Sequence, residues 1–128
     1  VLLATMGGRF AEGADFPGKE LEVVFLVGIP FDRPTARSRE YLKYYIGLYG
    51  EERGLFYGYI IPAIRRAAQA MGRAIRSSED RAVIICGDER YSKYLGLLPD
   101  YAANAKLVSP LELIKYVKRG PLGDRFGN

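Results

Sequence analysis

The sequence predicts an α/β domain with a mostly parallel sheet flanked by helices. Three apolar runs read as buried strands: Leu2 to Thr5, Leu21 to Val27 and Ala82 to Cys86. Helical patterns lie between and after them, and strands that alternate with helices are the signature of a layered parallel sheet. A glycine-rich loop directly follows the first of these strands, at the carboxyl end where such sheets gather ligands.

Each element has its own reason. The run Val1-Leu2-Leu3-Ala4-Thr5 is apolar, with no initiator Met and no capping or turn residues ahead of it. The expectation is therefore a chain that is incomplete at its amino end, cut upstream of a strand. The first helix covers roughly Arg37 to Leu48 and carries Tyr41, Tyr44, Tyr45 and Leu48 at helical spacing. A second is predicted over Ile60 to Arg76, with Pro62 near its first turn, where a missing N–H costs little. A third follows Ser109-Pro110, with Leu111, Leu113, Ile114 and Val117 as its apolar face. Glycines and Pro121 mark residues 120–128 as a loose tail, so the expected domain covers 1–119.

Composition narrows the class. The 128 residues are 48% hydrophobic, as in an ordinary globular domain, and the net charge of +4 permits a polyanionic partner without demanding one. Cys86 is the single cysteine, which removes a disulfide framework, a zinc site and an iron–sulfur cluster from this chain and leaves a small core residue. No apolar stretch approaches the roughly 20 residues of a membrane span, and no leader is visible, so the expected location is the cytoplasm, without a membrane partner.

Two constellations carry chemistry. In Gly7 to Gly18 a loop rich in glycine holds Glu12 and Asp15 at a strand end; glycines admit close backbone approach, and a carboxylate there can accept bonds from a ribose. The same residues read equally as a solvated surface turn. On the second predicted helix, Ile61, Ile64, Ala68, Met71 and Ile75 form an apolar stripe, while Arg65, Gln69, Arg73 and Arg76 gather on a separate face. Planar guanidiniums suit phosphate, and Gly72 in mid-helix asks for a reason such as close approach of a partner. A solvated basic face remains open as the alternative.

Taken together, GGRFAEGADFPG (7–18), VGIPF (27–31) and QAMGRAIRSSEDRAVIICGDERY (69–91) resemble motif V, the segment after it and motif VI of the XPD/DinG family of superfamily 2 helicases, from Val1 to about Tyr101. The resemblance implies a RecA-like, P-loop NTPase-type domain and specific roles. Arg73 and Arg76 match arginine fingers that reach the ATP γ-phosphate, with Gln69 nearby. Asp15 matches the ribose contact, and Gly13 the backbone that lies against the phosphates. Glu12 matches a residue linking nucleotide state to DNA grip, while Arg9 and Arg65 are the basic candidates for the DNA backbone. The implied parent hydrolyses ATP with Mg²⁺, translocates on single-stranded DNA and unwinds duplex with 5′-to-3′ polarity.

Other parts lie elsewhere. The G-x-x-x-x-G-K-[ST] phosphate loop does not occur, and the one Gly-Lys pair, Gly18-Lys19, is followed by Glu20. Asp88-Glu89-Arg90-Tyr91 resembles a Mg²⁺-binding box superficially, but follows motif VI, where the family has a similar turn that is not a metal site. The Mg²⁺ ligands and the four cysteines of the family's iron–sulfur cluster would lie upstream. The expected partners are single-stranded DNA, a first motor domain and a regulatory protein, and this chain alone should not hydrolyse ATP. The rival from another class is a non-catalytic DNA- or protein-binding module that retains helicase-like motifs.

Overall fold

A computed structural model describes residues 3–6, 22–75 and 82–119, with side chains as far as 116. Two parallel strands, β1 (Val23–Leu26) and β2 (Val83–Cys86), pair in register from Val23 opposite Val83 to Leu26 opposite Cys86. The ladder is continued by Val83 N–H donating to the Glu22 carbonyl and Gly87 N–H to that of Leu26, both at 2.8 Å. Parallel strands need a crossover, and here it is helical.

The crossover begins with α1 (Ala36–Tyr49), a surface helix with no fully buried residue. Thr35 and Ser38 form a reciprocal capping box: the Ser38 N–H donates to Thr35 Oγ1 at 3.1 Å and the Thr35 N–H to Ser38 Oγ at 2.9 Å. The helix ends at Gly50, whose φ of 81° only glycine adopts cheaply. Next come α2 (Glu51–Leu55), a π turn over Phe56–Ile60, and α3 (Ile61–Met71), which run on as one helical rod. The Ile61 N–H donates five residues back, to the Phe56 carbonyl, which marks the widened turn.

Two glycines let this rod lie against α1. A Cβ on Gly54 would stand 2.5 Å from the Ile46 Cα, and one on Gly58 would stand 3.2 Å from atoms of Leu42 and Tyr45. The core lies on the other side, where Ala63, Ile64, Ala67 and Met71 of α3 pack with Leu26, Ile29, Tyr91, Leu98 and Ala102. The buried side of α3 is thus turned by roughly a fifth of a turn from the predicted stripe, because its alanines permit the closest approach. Ile61, Ala68 and Ile75, expected in that stripe, are only half-buried.

Two further expectations are corrected. The run at Leu3 to Thr5 forms no strand, and Leu3 is 91% exposed: among the described residues no strand lies alongside to take its backbone hydrogen bonds. The helix predicted to reach Arg76 stops at Met71, with Gly72 as its C-cap. Arg73 N–H and Ala74 N–H then bond three residues back, to Ala70 and Met71, which tightens the chain as it leaves the helix. The final helix, α4 (Pro110–Arg119), forms where the sequence predicts it and is capped by Ser109 and Glu112, with Leu111 and Ile114 exposed.

Between β2 and α4 the chain is a 3₁₀ segment, Glu89–Leu97, kinked at Tyr94, then a short one at Asp100–Ala102. No helix among the described residues is long and apolar enough to cross a membrane.

Candidate functional site

Three of the predicted site residues lie on described backbone. Arg65 and Gln69 project exposed from α3, one turn apart, on the side away from the core. Arg73 is half-buried in the turn beyond the Gly72 cap, so it leaves the helix face predicted for it. Arg9, Glu12, Gly13, Asp15 and Arg76 lie outside the described residues, as does the tail from 120.

Gly72 lies at the end of α3 rather than in mid-helix, with φ −63°; a Cβ there would meet the Ala68 carbonyl at 3.4 Å and the Tyr101 hydroxyl at 3.8 Å, ordinary contacts, so neither its conformation nor a close approach demands glycine.

The carboxyl ends of both strands are fastened together. Asp88 follows β2 and accepts from Arg90 through two bonds, Nε to Oδ1 at 2.9 Å and Nη2 to Oδ2 at 2.6 Å, as well as from the Arg90 backbone N–H. The hydrogen-bonded Arg90 guanidinium holds the Asp88 carboxyl down at about 2, and the carboxylate raises the Arg90 pKa in return. Arg90 also lies 5.3 Å from the centroid of Phe31, which stacks on Tyr59 at 4.8 Å. Asp88 is therefore an N-cap and an ion-pair partner. Tyr91 turns inward, and its hydroxyl donates to the Gly28 carbonyl at 2.9 Å; desolvation pushes its pKa up. Burial likewise raises the Cys86 thiol, the behaviour of a structural cysteine.

Sequence reasoning missed what stands beside Arg65 and Gln69. The ladder Tyr41, Tyr45 and Tyr49 of α1, with Tyr57 of the π turn, faces them across an open groove, where Arg53 and Arg66 also lie. The four-residue spacing of the tyrosines was the available signal, and it reads as an apolar face until the glycine contacts fix where the helices meet. Arg66 pairs with Asp32 at 2.8 Å, while its Nε and Nη2 are buried without a hydrogen-bond partner.

Residues 1–104 match the helicase C-terminal domain family, and the chain belongs to that family. Its fold is the corresponding α/β, part of a RecA-like domain. It is 33% identical to a probable ATP-dependent helicase of Methanocaldococcus jannaschii over 75% of this chain and 16% of the relative. It is 30% identical to the XPD/RAD3 helicase subunit of general transcription and DNA repair factor IIH of Saccharomyces cerevisiae, over 88% of this chain and 14% of that protein. With a protein of Staphylococcus saprophyticus named 3′-5′ exonuclease DinG it shares 33% identity over 70% of this chain and 9% of the relative. The chain thus spans a small fraction of the relatives it matches.

Proposed function

We propose that this chain is the carboxy-terminal part of the second motor domain of an ATP-dependent DNA helicase of the XPD/DinG type. The observation that carries the reading is the family match over residues 1–104, which takes in both chemical constellations at once. Arg65 and Gln69, exposed on one side of α3, support it, because a residue that meets ligand must leave the core.

ATP, bound with Mg²⁺ largely by the parent's other motor domain, supplies the phosphoryl group whose hydrolysis drives movement. The donors of this chain fit such a group. The Gln69 amide is open to solvent, and the guanidiniums of Arg73 and Arg76 would stabilise charge on the γ-phosphate. Asp15 would hold the ribose, Gly13 would line the phosphates, and Glu12, Arg9 and Arg65 would meet DNA. Single-stranded DNA is the track, with 5′-to-3′ movement.

The test is ATP hydrolysis with and without single-stranded DNA, measured on this chain and on the full-length parent. The chain alone should be inactive and the parent stimulated by DNA. Turnover by the isolated chain clearly above a heat-killed control, or a parent without DNA-stimulated turnover, overturns the reading.

A further inference from the structure

A groove runs between α1, the π turn and α3. It encloses about 820 Å³ and lies open to solvent on one side. Four tyrosines and three arginines are among its lining residues, and no aspartate or glutamate is. The rings form an unbroken chain across two elements: Tyr41 to Tyr45 at 4.9 Å between centroids, Tyr45 to Tyr49 at 6.1 Å, and Tyr49 to Tyr57 at 5.2 Å. Tyr41, Tyr49 and Tyr57 are 52%, 50% and 45% exposed, so about half of each ring is available to something else.

The walls are fixed. Gly54 and Gly58 bring the rod into contact with the backbone and side chains of α1, and a Tyr41 to Tyr45 hydroxyl bond of 3.1 Å joins successive rungs. A preformed aromatic surface loses little entropy on binding, which separates it from a scatter of surface tyrosines. Cationic groups line the same groove: Arg53 and Arg65 are exposed, while Arg66 is held by Asp32 at 2.8 Å with its Nε and Nη2 buried.

We propose that this groove binds single-stranded nucleic acid, with bases on the Tyr41–Tyr45–Tyr49–Tyr57 ladder and phosphates on Arg53 and Arg65. Stacking platforms flanked by basic groups are how proteins hold single strands without reading sequence, because every base has a π-face. An acidic peptide would satisfy the arginines, but it brings no planar rings to the ladder. The proposal rests on the helicase reading and adds where on this surface the strand lies.

The test uses the full 128-residue chain with a fluorescein-labelled oligothymidylate, read by anisotropy, and with a 5-iodouracil oligonucleotide for photo-cross-linking. Cross-links should map to Tyr41, Tyr49 or Tyr57. Tyr49→Ala should weaken binding by about 5-fold, the low end for loss of a stacked base, since the ring is half shielded already. Tyr49→Phe keeps the ring face and should bind as the parent chain does, with an unchanged melting curve. Two phosphate contacts predict a slope of about −1.4 in log affinity against log salt, reduced by about 0.7 in Arg53→Gln.

Cross-links confined to residues outside the groove, with Tyr49→Ala and Arg53→Gln binding normally, overturn the groove and leave the helicase reading intact. Protection of the tyrosines by polyglutamate and not by oligothymidylate overturns it in favour of a protein partner. If the chain binds no oligonucleotide, the groove proposal fails; DNA-stimulated ATPase of the full-length parent decides the helicase reading separately.

Discussion

Tyr91 donates its hydroxyl hydrogen bond to the Gly28 carbonyl at 2.9 Å, across 63 positions of sequence. Gly28 follows β1 and Tyr91 follows β2, so one phenol fastens the carboxyl ends of both strands. Tyr91 is only 3% exposed, and its ring belongs to the core.

Tyr91→Phe should therefore cost about 1 kcal/mol, the loss of one hydrogen bond to a partly buried carbonyl. Tyr91→Ala should cost about 3–5 kcal/mol, because a cavity is added. Urea unfolding of the two variants measures both, and equal losses would mean that the hydroxyl contributes nothing.

Acid should act on Asp88. The Arg90 guanidinium holds this carboxyl at about 2, below its ordinary 3.8, so the folded chain takes up that proton later than the unfolded chain. The associated stability is complete above pH about 4 and disappears as pH falls from 4 toward 2. Asp88→Asn should make the acid limb of the stability curve shallower in that window and leave its shape near neutrality unchanged, as read by melting temperature against pH.

Two glycines of neighbouring elements should respond oppositely to alanine. Gly54→Ala drives a methyl against the Ile46 backbone at 2.5 Å and should destabilise by about 1–3 kcal/mol. At Gly47, inside α1, nothing lies within 4 Å, and the same change should stabilise by about 0.5–1 kcal/mol through helix propensity. Thermal melts of the pair decide whether close approach or propensity governs.

In the full-length parent, Arg73→Ala and Arg76→Ala should each lower kcat by about 10³-fold and change DNA affinity without nucleotide little. Weakened DNA binding with normal turnover would move these arginines from the triphosphate to the DNA.

What the sequence revealed follows from where its periodicity is physical. The run Ala82 to Cys86 is apolar because it pairs inside a layered fold, and β2 falls within it. Ser109 and Pro110 announced α4 through local capping chemistry, which needs no tertiary information. Leu2 to Thr5 carries the same apolar signal, but a strand exists only where a neighbour completes its ladder. The early stop at Gly72 was hidden because helical side-chain spacing continues through Arg76 while the backbone leaves the helix at Gly72. Of the candidate site, Gln69 and Arg65 were legible from helix phase; the tyrosine groove was not, since it depends on two glycines bringing α1 against the rod. Arg9, Glu12, Gly13, Asp15 and Arg76 lie outside the described residues.

The π turn over Phe56–Ile60 works as a phase setter. One extra residue in a helical turn rotates everything beyond it by roughly 100° relative to everything before. Ala63, Ile64 and Ala67 pin the far side in the core, so the near side carries the freedom. Deleting Phe56 would rewind the rod into uninterrupted α-helix and swing Gly54, with α1 behind it, away from the row of Arg65 and Gln69. The aromatic wall and the basic wall would then look in different directions while each kept its own residues. A single codon thus sets the angle between them, and a deletion variant that kept its helix content and its oligonucleotide affinity would show that this angle does not matter.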